Sequence, residues 1–113
     1  MTGKAIRLRP AAIGDHEGVA DYYLEQSGAK LATRFSAALK SAFERIGRNP
    51  GVGFRLVGDD CGLPGLRTWP IPDFPFLVCY FDMLDYIDVW RILHGARDLD
   101  AVLADRPEDA DQE

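Results

Sequence analysis

Residues 85–98, DYIDVWRILHGARD, are the stretch that decides the fold. Aromatic and β-branched residues dominate its first part, which is typical of a strand buried on both faces. Strand alternation predicts one side with a single charge in an apolar row: Ile87, Val89, Arg91 and Leu93. The other side is predicted to carry Tyr86, Trp90 and Ile92. Gly95 breaks the strand, so its end carries a candidate working surface: His94, Arg97 and Asp98.

The residues on either side of this strand predict the rest of a β-meander. Residues 76–82, FLVCYFD, are almost continuously apolar and predict a central strand that turns at Met83 and Leu84. Residues 66–71 predict a strand near the sheet margin, because Pro70 and Pro72 disrupt its end. The glycine-rich residues 50–65 predict a surface connection with a short strand at 54–57. Asp98 stands at an N-cap position before a short last helix at 99–103.

The amino-terminal half predicts an edge strand followed by a helical hairpin. Residues 4–9 alternate as a strand, and Pro10 suits the first turn of a helix over 11–26. Ser27 is the predicted N-cap of a second helix over 28–47, whose apolar residues recur at helical spacing. Gly47 is predicted to end that helix as its C′ glycine. The order is β-α-α-β-β-β-α, an α+β fold with an antiparallel sheet packed on a helical hairpin.

Gly14 and Gly18 lie one helical turn apart in the first predicted helix. Small residues at this spacing let another element approach closely. A shallow packing contact inside the domain is the favoured interpretation, and a groove for a partner is the alternative.

Composition favours a small globular domain over residues 1–104, with an acidic tail at 105–113. The 113 residues are 47% hydrophobic and 27% charged, and the net charge is −5. This acidic balance argues against strong direct binding to a nucleic-acid backbone. No apolar run approaches the roughly 20 residues of a membrane span, and no secretory signal is apparent. Cys79 lies in an apolar strand and is interpreted as a core residue, so the predicted location is the cytoplasm.

The residues themselves do not define an active site. The two histidines, His16 and His94, stand in no metal-binding or catalytic motif, and no metal or cofactor is predicted. His94 is a candidate general base. The favoured interpretation is that its ring forms a hydrogen bond with the backbone and fixes the turn at Gly95. Arg91 requires a carboxylate, since a lone buried charge is costly; Asp88, Asp98 or a residue in trans are the candidates. Trp69 and Trp90 are interpreted as core residues, and Arg97 with Asp98 as a structural ion pair.

The order of these segments resembles the ParE/RelE toxins of bacterial toxin–antitoxin modules. The resemblance extends over residues 4–104 and is carried by NPGVG after the helical hairpin, then LRTWPI, FPFLVCYFD and IDVWRILHGARDLDAVL. It implies a RelE/ParE-like fold.

The family has two functional branches. RelE-like members are ribosome-dependent mRNA endonucleases that use basic residues and commonly a tyrosine in the terminal helix. In this chain the residues that could serve such an endonuclease are Arg67, Arg91, His94 and Arg97. The set is incomplete, because no tyrosine follows Tyr86. The resemblance therefore favours the ParE branch, whose members inhibit DNA gyrase and are not enzymes, so no catalytic residue is predicted. Candidate target-binding residues are Trp90, Arg91, His94 and Arg97. A relative that has lost toxicity and serves as a binding module is a third reading.

The resemblance also implies a ParD-like antitoxin, which forms a hetero-oligomer with the toxin and alone contacts operator DNA. Residues 1–50 hold eight Lys and Arg against five Asp and Glu, a surplus that would attract acidic antitoxin side chains. The candidate antitoxin-binding residues are Gly14, Gly18, Arg34 and Arg45. Membrane binding is not predicted.

Overall fold

Two helices and five strands make up the part of the chain that the computed structural model describes, residues 3–55, 63–95, 97 and 98. In chain order they are β1 (Ala5–Leu8), α1 (Pro10–Ser27), α2 (Ala29–Arg48), a 3-10 turn (Pro50–Val52), β2 (Phe54–Arg55), β3 (Arg67–Pro70), β4 (Phe76–Asp82) and β5 (Tyr86–His94). The predicted α+β class and element order are confirmed over this range. The predicted last helix at 99–103, residues 56–57 of the predicted short strand and the 105–113 tail lie outside the described residues.

The strands form one sheet in the order β1-β5-β4-β3-β2. Neighbours from β2 to β5 are antiparallel, whereas β1 runs parallel to β5 with Ile6 opposite Ile87. The sheet is therefore mixed and not wholly antiparallel. Parallel neighbours require a long connection, and here the helical hairpin and three strands separate β1 from β5 along the chain.

The two helices cover one face of the sheet. Buried residues recur along one side of α2 at helical spacing: Phe35, Leu39, Ala42 and Ile46. Ser27 is the last residue of α1 and does not cap α2, because Gly28, with φ of 90°, stands between the helices. Within the described part of the chain, neither helix has the combination of length and apolarity that a membrane span requires.

Gly47 lies inside α2, which ends at Arg48, so its predicted role as a C′ glycine is wrong. Instead β1 begins directly against it. The Lys4 backbone N–H donates to the Gly47 carbonyl at 2.9 Å, and a Cβ on Gly47 would lie 2.9 Å from the Lys4 carbonyl oxygen. Glycine is required here because two backbones cross in contact.

A bulge between β4 and β5 changes the predicted sides of β5. Cys79 pairs with Arg91 and Tyr80 pairs with Val89, which leaves Trp90 as the extra residue. Ile92 consequently joins Ile87 and Val89 in the main core under the helices. Leu93 and Trp90 pack instead in a second cluster with Leu66 and Cys79. The predicted alternation is therefore wrong for Ile92 and Leu93, whereas Trp90 lies on the side opposite Val89, as predicted.

Tyr80 connects the core to the turn that follows α2. The side chain is fully buried, and its hydroxyl donates to the Pro50 carbonyl at 2.6 Å while accepting the Gly53 N–H at 3.0 Å. Burial raises the pKa of this phenol. Burial also raises the pKa of the Cys79 thiol to about 12, which agrees with its interpretation as a core residue.

Candidate functional site

A groove opens between α1 and the carboxyl-terminal end of β5. Its volume is about 470 Å³, and we call it the α1–β5 groove. The α1 wall consists of Gly14, Asp15, Gly18, Val19, Tyr22 and Tyr23. The opposite wall consists of Pro75, Phe76, Ile92 and His94, with Arg97 and Asp98 at the rim. The walls are mainly aromatic and apolar, and their charged or polar side chains are those of Asp15, His94, Arg97 and Asp98.

The two glycines of α1 keep this groove open. A Cβ built on either Gly14 or Gly18 meets no atom within 4 Å among the described residues. The favoured prediction, a packing contact inside the domain, is therefore wrong for these two positions. The missing side chains leave a surface with room for an incoming group.

Replacing Gly18 with alanine is expected to raise the free energy of unfolding by roughly 0.5–1 kcal/mol, because alanine favours the helix and nothing obstructs its methyl group. Urea unfolding would measure the change. The matched control is Gly47→Ala in α2, which should be destabilising because its methyl group meets the Lys4 backbone. A loss of stability in Gly18→Ala would show that the groove is filled in the free protein.

Arg91 is paired with Asp15 of α1. Its Nε and NH2 groups donate to the two carboxylate oxygens at 2.7 and 2.9 Å, and the Ile92 N–H donates to the same carboxylate at 2.9 Å. The hydrogen bonds from the Arg91 guanidinium to Asp15 raise the pKa of Arg91. Since β1 last pairs with β5 at Val89, Asp15 satisfies an edge N–H of β5 beyond the end of β1.

The carboxylates suggested as partners of Arg91 are engaged elsewhere. Asp88 binds Arg9 at 2.7 Å, and Asp98 binds Arg97 at 3.0 Å. The prediction for Arg91 was therefore wrong in its partner, whereas the predicted pair of Arg97 and Asp98 is present. The hydrogen bond from Arg97 lowers the pKa of Asp98.

His94 organises the turn that closes the groove. Its Nδ1 accepts the Arg97 backbone N–H at 3.1 Å, and the backbone N–H of His94 donates to Asp98 Oδ2 at 3.2 Å. The ring stands edge-on to Phe76 with centroids 5.4 Å apart. This geometry agrees with the prediction that His94 bonds backbone and fixes the turn around Gly95.

The structure gathers only part of the predicted site. Arg91, His94 and Arg97 lie along the end of β5 beside the groove, while Trp90 packs in the second cluster. Arg67 pairs with Tyr80, whereas His94 pairs with Phe76, so four residues of β4, roughly 13 Å, separate them. The Arg67 guanidinium donates to the Gly53 carbonyl at 2.8 Å.

The four candidate antitoxin-binding residues also divide into two sets. Gly14 and Gly18 line the groove, but the exposed Arg34 and Arg45 lie on α2 outside it. The Arg45 guanidinium lies 5.8 Å from the centre of the Trp69 ring, and Trp69 stacks on Phe54. Trp69 packs against the main core and Trp90 against the second cluster, so both tryptophans are packed as predicted.

Sequence reasoning missed Asp15, and the only signal for it was the requirement of Arg91 for a carboxylate.

Comparison with known proteins places the chain in a family. A family model described as the ParE toxin of the type II toxin–antitoxin system parDE matches residues 6–99. Among solved structures, one described as the chromosomal ParDE TA system from P. aeruginosa superposes with a TM-score of 0.67 at 20% sequence identity, covering 80% of this chain and 95% of that one. No curated protein sequence matches. At this identity the structural likeness shows the fold, and the family match extends over most of the chain. The chain belongs to the ParE toxin family of type II toxin–antitoxin systems.

Proposed function

We propose that this protein inhibits DNA gyrase in the cytoplasm and is neutralised by a ParD-like antitoxin. The observation that carries the proposal is the match of residues 6–99 to the ParE toxin family. The main alternative is a RelE-like, ribosome-dependent mRNA endonuclease, whose residues in this chain would be Arg67, Arg91, His94 and Arg97.

The positions of those four residues favour the non-enzymatic reading. Phosphodiester cleavage requires cations and proton-transferring groups that converge on one phosphate. Arg67 lies on another part of the sheet, and the Arg91 guanidinium is held by Asp15. His94 Nδ1 is engaged by the Arg97 backbone. Within the described residues, this set does not form a phosphate site.

The α1–β5 groove supports neutralisation by a protein partner. Its aromatic and apolar walls suit an amphipathic helix, a common ligand of such grooves. The target-binding candidates His94 and Arg97 lie in the same groove. An antitoxin segment bound between Gly14, Gly18 and Phe76 would cover these residues, so binding of the antitoxin and of gyrase would be mutually exclusive.

The deciding experiment measures DNA supercoiling by purified gyrase in the presence of this protein, with in-vitro translation in parallel. Blocked supercoiling or accumulated cleaved DNA, with translation unaffected, is the expected result. Arrested translation with cut mRNA and normal supercoiling would replace the proposal by the ribonuclease.

Arg97→Ala is expected to weaken gyrase inhibition by about tenfold, since the side chain is 68% exposed at the groove rim and is available to a protein target. Its concentration for half-maximal inhibition would be compared with that of Lys30→Ala, which also removes an exposed cation but lies at the start of α2. If Arg97→Ala and the wild-type protein inhibit gyrase equally well, Arg97 is not part of the target-binding surface.

A further inference from the structure

Two aromatic rings and a guanidinium lie together at the β2–β3 margin of the sheet. The Phe54 ring of β2 is stacked on the Trp69 ring of β3, with centroids 6.0 Å apart and an angle of 22° between the ring planes. The Arg45 guanidinium of α2 lies 5.8 Å from the centre of the Trp69 ring. We call this group the Phe54–Trp69–Arg45 cluster. None of the three residues is among those that line the α1–β5 groove.

Packing inside the domain accounts for Trp69 but for little of Phe54. Trp69 is half-buried and packs against the main core. The Phe54 side chain, in contrast, is 66% exposed, so most of its apolar surface remains in water. A single exposed apolar residue is common on protein surfaces. The charges around Phe54 therefore decide whether it has a partner.

Those charges are positive and face one another. Arg55 on β2 lies directly opposite Arg67 on β3. Like charges at directly opposed positions of an antiparallel pair destabilise a sheet. Arg67 donates at 2.8 Å to a backbone carbonyl, which is neutral and leaves its charge uncompensated. Arg45, Arg55 and Arg67 form no ion pair with a residue that the structure describes.

Carboxylates are scarce near the cluster. No acidic residue occurs at positions 45–55 or 67–70, the two segments that supply the cluster and the opposed arginines. Glu44 precedes Arg45 but lines a different recess, between α2 and β1. An acidic partner would thus relieve the repulsion between the arginines and cover the exposed ring in one contact.

We propose that the Phe54–Trp69–Arg45 cluster, together with Arg55, binds an acidic surface of the target protein. The inference rests on the proposed function, under which this target is DNA gyrase. The Phe54 ring packs against an apolar side chain of the target, and carboxylates beside that side chain pair with Arg45 and Arg55. Tryptophan and arginine are enriched among the residues that dominate the energy of protein interfaces, which supports this combination.

Charge and geometry separate this partner from two others. A second copy of the chain that docked through the same surface would bring the arginines of both copies together, which is unfavourable. A nucleic acid would pair with the arginines, but the chain carries a net charge of −5, which opposes attraction of a phosphate backbone. Single strands are also held by rings that stack successive bases, whereas Phe54 is the one largely exposed ring of the cluster.

The test measures the concentration of toxin that half-inhibits supercoiling by purified gyrase. Phe54→Ala and Arg55→Glu should each raise it at least about tenfold. Leu84→Ala is the matched apolar control, because Leu84 is 89% exposed at the β4–β5 turn. Lys30→Glu makes the same charge change as Arg55→Glu at the start of α2. Both controls should inhibit as wild type does, and urea unfolding verifies that all four variants are folded.

Salt dependence provides a second readout for the charges. The affinity of wild-type toxin for immobilised gyrase should fall as the salt concentration rises, because salt screens exposed ion pairs. The decline should be less steep for Arg55→Glu, which has lost one of these pairs. The decline for Leu84→Ala should match that of wild type.

Four outcomes would overturn the proposal. If wild type inhibits gyrase and both Phe54→Ala and Arg55→Glu inhibit equally well, the cluster is not a target contact, while the proposed function stands. If wild type does not inhibit gyrase, the proposed function and the inference both fail. Equal losses in Leu84→Ala and Lys30→Glu would show that the effect is not specific to the cluster. Tighter binding of a labelled thymidine oligonucleotide by wild type than by Phe54→Ala would identify a nucleic-acid site instead.

Discussion

Gly53→Ala is expected to lower the free energy of unfolding by about 3 kcal/mol, from overpacking of a rigid site and loss of hydrogen bonds. A Cβ on Gly53 would overlap the Tyr80 hydroxyl and lie 2.8 Å from a ring carbon. Tyr80 is fully buried, so its ring has no space to withdraw into. The backbone of Gly53 is ordinary, with φ of −68°, and the alanine penalty therefore comes from contact alone.

Urea unfolding of Gly53→Ala and three further variants isolates this contact. Gly51→Ala is the control two residues earlier, where the nearest atom to a new Cβ is 3.9 Å away, and it should be close to neutral. Tyr80→Phe alone should cost roughly 1–3 kcal/mol because it leaves the Gly53 N–H and the Pro50 carbonyl without their partner. Combined with Gly53→Ala it should cost less than the sum, since the hydroxyl that obstructs the methyl group is gone. Strict additivity would contradict the proposed overlap.

Asp15→Ala is the second large effect, with an expected loss of about 2–3 kcal/mol of unfolding free energy. The substitution leaves the partly buried Arg91 guanidinium without its carboxylate and the Ile92 N–H without an acceptor. The side chains of Arg91 and Asp15 are 28% and 16% exposed, so water recovers only part of the lost interaction. Helix α1 should also be held less firmly against β5, which widens the α1–β5 groove.

Asp15→Asn distinguishes charge from hydrogen bonding, because the amide oxygen still accepts the Ile92 N–H; its loss should be intermediate. The Arg97→Ala variant is the control, since its exposed pair with Asp98 is expected to contribute no more than about 1 kcal/mol. The Ile92 amide chemical shift should move strongly in Asp15→Ala and little in Arg97→Ala. An unfolding midpoint of Asp15→Ala equal to that of Arg97→Ala would mean that the α1–β5 link does not stabilise the fold.

The Arg91–Asp15 pair and the Gly53–Tyr80 contact differ in how far the sequence predicts them. The mid-strand position of Arg91 predicts that some carboxylate must approach it, yet Asp15 is separated from it by 76 positions. Gly53 lies in a glycine-rich connection that looks unremarkable in the sequence, and its contact with Tyr80 arises only when the turn after α2 packs on β4. In the first case the sequence shows that Arg91 requires a carboxylate, and in the second it shows a glycine at position 53. In neither case does it identify the residue in contact.

The sequence by itself determined the elements and their order. The apolar row of α2 follows the 3.6-residue period of a helix, and the near-continuous apolar run of β4 is typical of a strand buried on both faces. Both patterns are local properties of one segment. The segment order around residues 85–98 also carried the ParE/RelE resemblance, which the family match over residues 6–99 confirms.

Tertiary structure alone decided what those elements present to one another. The bulge at Trp90 moved Ile92 to the helix side, β1 came to lie parallel to β5, and Gly14 and Gly18 faced open space. Each outcome depends on register and packing between segments far apart in the chain, which periodicity within one segment does not encode. The α1–β5 groove is formed in this way, because it lies between elements that the sequence specifies one at a time.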